Sequence, residues 1–308
     1  MGGNSLQGKV VTCAAIDIGT NTLLMLIGRK NSRGEWEILR DEHNIARLGQ
    51  GVDSERKIQP QAVERAKQIL SGYKKICEEF SVHKIRAVGT SALRDAKNRA
   101  EVCAELSSVI GAPVEVIPGD EEARLSFLGT IEGGERSTVI DIGGGSTEII
   151  TGEQYSVRTK ISLNIGAVRL TERFFLSLPA DEDKMYTAKN YIRQELSRVE
   201  KIRSGRIFAV AGTPTTLAAV DQNLPEFSAD RIHGHILTGE KISALRSRFL
   251  SSTVEEILRL PGVHPKRADI LPAGTLILEE ILAFLGAESC RVSVKGLRYG
   301  ILYEALEP

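Results

Sequence analysis

The chain has 308 residues, 42% hydrophobic and 26% charged, which fits a folded soluble protein with two domains better than one ordinary core. Its 40 Lys and Arg balance 40 Asp and Glu. That excludes a global attraction to nucleic acid or an anionic membrane, so an anionic ligand must be held by a local basic site.

From the N-terminus, Gly3 to Lys9 reads G-x-x-x-x-G-K. It is rejected as a phosphate loop because Val10 stands where Ser or Thr is required and the run precedes a strand instead of following one. The apolar stretch Val10 to Gly28 is broken by Asp17, Thr20 and Asn21, so neither a membrane span nor a signal peptide is expected. Cys13, Cys77, Cys103 and Cys290 are too sparse for a disulfide framework and lack metal spacing, which reads as a reducing cytoplasm.

Residues 15–26, AIDIGTNTLLML, are echoed at 139–150, VIDIGGGSTEII. Each is a β-branched run ending in Asp, a turn of Gly, Thr, Ser and Asn, and a second apolar run: strand, tight turn, strand. The echo predicts a duplicated domain. After the first copy come a hairpin strand near Glu35 to Arg40 and a helix from Pro60 to Phe80 with an apolar stripe. Strand Ile85 to Val88, a helix over Asn98 to Val109, strand Val114 to Ile117 and a helix opening near Asp120 follow, an α/β order. The second copy carries extra helices at Gly166 to Leu176, Glu182 to Arg203, Thr213 to Val220, Glu240 to Leu250 and Ile270 to Leu285. Between them lie strands Ile207 to Ala211 and Arg291 to Val294.

The two turns carry the chemistry. Asp17 to Thr22 and Asp141 to Thr147 offer free amides and hydroxyls, and their glycines let the backbone approach an anion closely. Facing each other, they would grip a phosphate chain between two jaws. Asp17 and Asp141 at the strand ends would hold a hard cation through oxygen, usually with water between. One such turn alone would read as a plain hairpin; the matched pair favours function. His233 and His235 form an HGH pair with no carboxylate or third histidine nearby in sequence, which reads as a structural loop.

These segments, with RLGQG at 47–51, GTSALRDA at 89–96, IPGDEEARL at 117–125, LNIGAVRLTERF at 163–174, AGTPTTLAA at 211–219, IHGHILT at 232–238 and VKGLRYGIL at 294–302, resemble the exopolyphosphatase and guanosine pentaphosphate phosphohydrolase family. That family lies in the superfamily of actin, the acetate and sugar kinases and related ATPases. The resemblance implies an α/β fold of two ribonuclease-H-like (actin-like ATPase) domains with a phosphate-binding cleft between them. The expected division is 1–125 for the first domain, joined by 297–308 packing back on it, and 126–296 for the second.

The resemblance also implies roles. Glu122 matches the family's general base, with Glu121 open as the alternative one residue away. Arg94 matches an arginine facing the phosphates. Thr20, Asn21 and Thr22 match one phosphate loop and Gly143, Gly144, Gly145, Ser146 and Thr147 the other. Asp17, Asp141 and Glu148 match carboxylates around a magnesium ion, which manganese can replace. Read from the residues alone, Glu122 is more simply a first-turn acid complementing a helix dipole, and Arg94 is as readily a surface ion-pair partner as a phosphate contact. Hydrolysis of a phosphoanhydride needs an aligned water, a base and cationic stabilisation of the transferring group, and this set supplies all three.

The implied reaction is release of terminal orthophosphate from inorganic polyphosphate or guanosine pentaphosphate, the latter tied to the stringent response, with no nucleic-acid or membrane partner and a homodimer compatible with it. The Gly212 region resembles the superfamily's adenosine-binding segment, which leaves base binding open. Longer family members carry a further C-terminal helical region that helps hold long polyphosphate; the sequence ends at Pro308 without it, so short substrates are expected to serve at least as well as long ones. Two alternatives compete: a phosphotransferase of the acetate or sugar kinase type, and a non-catalytic nucleotide-binding scaffold. The Glu-Glu-Ala-Arg run argues for water over another acceptor. The acid set argues against a scaffold, because buried carboxylates without a cation are costly.

Overall fold

The computed structural model describes residues 11–200 and 205–305; the G-x-x-x-x-G-K run at 3–9 and the end of the helix expected through Arg203 lie outside them. The first half runs β1 (Thr12–Ile18), β2 (Thr22–Lys30), β3 (Trp36–Ile45), α1 (Val52–Glu55), α2 (Pro60–Glu79), β4 (Lys84–Gly89), α3 (Ser91–Asp95), α4 (Arg99–Ile110) and β5 (Val114–Val116). Helix α5 (Gly119–Thr130) leads into the second half. That half runs β6 (Ser137–Ile142), β7 (Thr147–Glu153), β8 (Ser156–Leu163), α6 (Ala167–Phe174), α7 (Glu182–Leu196), β9 (Arg206–Val210), α8 (Gly212–Asp221), α9 (Ala229–Ile232), β10 (Ile236–Thr238), α10 (Gly239–Leu250), α11 (Val254–Leu258), α12 (Leu271–Leu285), β11 (Ser289–Val292) and α13 (Leu297–Ala305).

The duplication is visible in the sheets. The first has the order β3-β2-β1-β4-β5 and the second β8-β7-β6-β9-β11 with β10 added at the edge. In both, the second strand is antiparallel and the first, fourth and fifth are parallel, the ribonuclease-H-like arrangement. Every residue of β1 and of β6 is buried, as a central strand covered on both faces requires, and this is why both read as mostly apolar runs up to their aspartates.

Packing fixes each half. Helix α2 starts with Pro60 at its first turn and buries Val63, Ala66, Leu70, Tyr73 and Cys77, the stripe its 3.6-residue period sets out. The Tyr73 hydroxyl donates to the Leu23 carbonyl at 2.8 Å, which pins this helix beneath the first turn. Helix α13 returns to the first sheet, where Leu297, Ile301 and Leu302 share a core with Cys13, Ala15 and Leu26. Helix α5 packs on α13 and also on β7 and β8, so the division expected at 125/126 falls inside one helix.

Two expected ends shift, and one strand was not expected. The helix from Glu182 stops at Leu196, capped by Ser197. The strand expected to reach Ala211 stops at Val210, because Ala211 takes φ 74° and leaves extended geometry. Strand β8, half-exposed at the sheet edge, has too few apolar residues to stand out in the sequence.

Candidate active site

The two turns form at the ends of equivalent hairpins. Asp17 pairs across β1–β2 with Leu24, and Asp141 pairs across β6–β7 with Glu148. Each turn closes the same way: Gly19 N–H donates to Thr22 O and Gly143 N–H to Ser146 O, both at 3.0 Å. A Cβ on Gly19 would meet the Thr22 carbonyl at 2.8 Å, and one on Gly143 the Ser146 carbonyl at 3.0 Å, so the tight turn demands glycine at the first place and leaves little room for a side chain at the second.

The carbonyls of both turns are taken up from outside. In the first, Gly49 N–H donates to Thr20 O, and Ala46 and Arg47 N–H to Asn21 O; the RLGQG segment is thus a buttress. In the second, the amides of Ala167, Val168 and Arg169, at the start of α6, donate to Gly143 O and Gly144 O. No described residue accepts from the amides of Thr20, Asn21, Gly144, Gly145 or Ser146, so those N–H groups are left for an anion. The turns touch: a Cβ on Gly144 would lie 2.9 Å from Thr20 Cβ, and one on Gly145 2.4 Å from Ser91 Oγ.

They meet at the floor of a cavity of about 750 Å³. Asp17, Thr20, Asn21, Thr22, Glu122, Asp141, Gly143, Gly144, Gly145 and Ser146 line it. Asp17 and Asn21 are buried, and Asp17 Oδ1 and both polar atoms of the Asn21 amide have no protein partner. Buried polar groups in folded proteins almost always have partners, so this orphaned set marks a ligand position.

Four sequence assignments are refined. Thr147 does not reach the cavity; its hydroxyl donates to the Ile165 carbonyl at 2.6 Å and braces the second hairpin. Glu148 is buried and absent from the cavity lining; it accepts from Ser162 Oγ at 2.7 Å. Glu121 turns outward to a bidentate pair with Arg124 at 2.9 and 2.7 Å, while Glu122 faces the cavity. One residue of register along α5 separates them, and the inward member is Glu122. Arg94 stands behind Glu122 with Nη1 at 2.5 Å from its carboxylate and 3.1 Å from the Ile117 carbonyl; it lies outside the lining.

The electrostatics are those of crowded acids. Burial pushes Glu122 up to about 7 against the pull of Arg94, and Asp141 adds to the rise. Burial also raises Asp17 far above the usual carboxylate range, with the charges of Glu122 and Asp141 adding and Arg298 opposing. Burial raises Asp141, although Ser126 Oγ donates to it at 2.5 Å, and raises Glu148 still further, with Glu122 and Asp141 adding. Carboxylates that raise one another in this way would be relieved by a cation. Among the described residues no three His, Cys, Asp or Glu side chains converge tightly enough to hold an ion on their own. The orphaned Asp17 Oδ1 beside these acids is an oxygen donor of the kind a hard divalent cation takes.

One cation escaped the sequence reading. Arg267 lines the cavity, where its Nη2 donates to Thr22 Oγ1 at 3.0 Å. The other two basic chains of the lining are matched, Arg298 by Asp41 and Lys295 by Glu132. Arg267 has no carboxylate partner among the described residues, and burial lowers it to about 10. Its guanidinium lies over Gly212, where a Cβ would fall 1.4 Å from Nη1; this close approach explains the glycine of AGTPTT. Thr90 and Ser91, from the GTSALRDA segment, also line the cavity. The HGH pair is structural: His235 meets Asp221 at 2.7 Å and His233 meets Glu132 at 3.3 Å.

Two duplicated α/β domains closing amide-rich turns over an acid cluster define a phosphoryl-handling protein. The model of the Ppx/GppA phosphatase family matches residues 26–308, and the chain belongs to that family. It is 37% identical to exopolyphosphatase 2 of Mycobacterium tuberculosis over 284 residues, 87% of this chain and 89% of that one. The crystal structure of the Aquifex aeolicus Ppx/GppA family member is 34% identical with a TM-score of 0.81, covering 96% of this chain and 97% of that one. An exopolyphosphatase structure from Cytophaga hutchinsonii is 29% identical with a TM-score of 0.87, covering 95% and 96%.

Proposed function

We propose that the protein is a magnesium-dependent exopolyphosphatase, releasing orthophosphate one unit at a time from the end of a polyphosphate chain. The observation that carries this reading is the floor of the cavity, where unpartnered Asn21 and Asp17 atoms and two sets of free amides meet Glu122 and Asp141. Membership in a phosphatase family with exopolyphosphatase relatives supports the same chemistry.

In this reading the turn amides, Asn21 and Arg267 hold the terminal phosphoryl oxygens. Glu122, as carboxylate, takes a proton from a water, whose oxygen attacks the terminal phosphorus while the bond to the bridging oxygen breaks. The shortened chain leaves with the bridging oxygen and the orthophosphate with the water oxygen. Arg94 keeps Glu122 aimed and lowers the cost of its charge. Asp17 and Asp141, with Glu148 behind them, would hold magnesium through water; bound there, the ion would neutralise the phosphate charge. Glu122 must be ionised to accept the proton, so its upward displacement in the metal-free protein implies activity that falls as acid protonates it.

The outer cavity favours a second substrate. Leu24, Ile45, Phe227, Val263 and Pro265 line it, an apolar volume that a bare phosphate terminus would leave unused, so guanosine pentaphosphate is the alternative. No helix among the described residues is long and apolar enough to cross a membrane, and all four cysteines are free, which suits work in a reducing cytoplasm. The test is phosphate release, with magnesium, from short polyphosphate, long polyphosphate and guanosine pentaphosphate side by side. Release from the polyphosphates supports the reading; no release from either, or transfer from ATP to an added acceptor instead, overturns it.

A further inference from the structure

The LNIGAVRLTERF segment has so far contributed only amides to the second turn, yet its arginines reach across to the first half. Arg169 on α6 is buried to 6% exposure and divides its guanidinium among three acceptors. Nε donates to Gly145 O at 2.7 Å, Nη1 to Asp53 on α1, and Nη2 to Asp95 on α3 at 2.5 Å. Arg173, one helical turn on, meets the same Asp53 through Nε at 2.5 Å and Nη2 at 2.8 Å. Between them in sequence, Glu172 accepts from Gly51 N–H at 2.8 Å. Burial works against the charge of Asp53, but Arg173 and Arg169 more than offset it and hold it below the usual carboxylate range. What remains between Thr20, Ser91, Gly145 and Arg169 is a void of about 10 Å³, room for about one water.

The placement of these three acceptors matters more than their number. Gly145 belongs to the second anion turn. Asp95 directly follows Arg94, which holds Glu122. One side chain therefore joins the turn that would grip the phosphate to the helix that aims the base, and does so across the line between the two halves. A buried arginine is costly unless its charge and N–H groups are met, so this one is fully satisfied only while the halves are together. Separating them would strip Asp53 and Asp95 from Arg169 and leave its bond to the Gly145 carbonyl, which lies within its own half, without the two acids that orient the guanidinium.

We propose that Arg169, with Asp53 and Asp95 as its receivers, is a positioning residue that makes the catalytic arrangement conditional on closure of the two halves. Closure and alignment of the site are then one event: the phosphate turn, Arg94 and Glu122 come into register only when the arginine is docked. A large-scale opening for substrate entry or product exit would switch the chemistry off, confining hydrolysis to the enclosed state. The inference rests on the phosphohydrolase reading for its consequence in turnover, though not for the docking itself.

The test combines kinetics on short polyphosphate with small-angle scattering of the full chain. Arg169→Gln is expected to lower kcat by roughly 100-fold, as a misplaced site does, with KM changed less than about threefold, and to raise the radius of gyration. Arg169→Lys, which keeps the charge and one of three bonds, should recover part of the loss in both measurements. Asp53→Asn, at the edge of the interface, should shift both in the same direction by about tenfold in kcat, and it carries the test if Arg169→Gln does not fold. A kcat within twofold of the wild type in these variants overturns the proposal. So does a fall in kcat at an unchanged radius of gyration, because Arg169 would then act on the turn alone. If the wild type releases no phosphate from any substrate, the functional reading falls, while scattering still decides whether Arg169 holds the halves closed.

Discussion

The two hairpins share a backbone and differ in what they present. In the first, the turn carries Thr20, Asn21 and Thr22, and Asp17 faces a leucine, Leu24, across the strands. In the second, the turn is Gly143, Gly144, Gly145 and Ser146, and Asp141 faces a second acid, Glu148. The first turn is buttressed by a loop of its own half, the second by a helix that also reaches across to the other half. A duplicated scaffold has thus been specialised: one copy offers side-chain donors, the other bare amides, a pair of acids and the tie between the halves.

The comparison is broken most severely where both copies meet, at Glu122. Glu122→Gln should lower kcat by about 10²–10⁴-fold with little loss of folding, whereas Glu121→Gln, whose carboxylate is spent on Arg124, should stay within a few-fold. Near-normal turnover in Glu122→Gln would remove it from the base role, and a loss in Glu121→Gln would move the role by one residue. Next comes the contact between the turns. Gly145→Ala places a methyl carbon 3.0 Å from Thr20 Oγ1 of the first turn and 2.4 Å from Ser91 Oγ on α3, and should cost on the order of 100-fold in kcat/KM by spreading the jaws; an unaffected variant would show that the turns need not touch. Smaller again is Arg267→Gln, which removes the unpaired cation beside Thr22. About a tenfold rise in KM is expected from losing a charged hydrogen bond to the ligand, and an unchanged KM would place the phosphates elsewhere.

The smallest effect is on stability. Asp17, Glu122, Asp141 and Glu148 are all raised above unfolded carboxylate values near 4. A raised group favours the folded state fully below its unfolded pKa and loses that contribution as pH rises through its folded value. Metal-free protein should therefore melt a few degrees lower at pH 8 than at pH 6. Magnesium should restore more at pH 8, where the acids it would neutralise are ionised. Asp141→Asn should shrink both differences; pH-independent melting with and without the ion would contradict the acid-cluster account.

Much of this was legible in the sequence because the turns are local. The Asp-Ile-Gly echo sets strand, turn and strand within a dozen residues, and its buried central strands read as apolar runs. Only the family resemblance favours Glu122 over Glu121; the residues alone leave both open, since helix register decides which faces inward. Thr147 looks like part of the phosphate turn but is the first residue of β7, so its hydroxyl bonds sideways to Ile165. Arg267 and Arg169 were missed for one reason: each has side-chain partners more than 70 positions away, and sequence spacing carries no sign of such contacts. Arg169 did stand in a segment resembling the family, yet only the fold shows what it touches.

The central claim is that the two turns hold the end of a phosphate chain, and one measurement addresses it most directly: gel and phosphate analysis of end-labelled polyphosphate during digestion with magnesium, at two salt concentrations. The account predicts free orthophosphate as the first product. It also predicts only a modest loss of affinity with salt, because Arg267 is the single uncompensated cation among the described residues of the lining and the salt slope scales with the number of phosphates neutralised. Mid-length fragments appearing early, or a steep salt dependence, would mean internal cutting on an extended basic track and would contradict it.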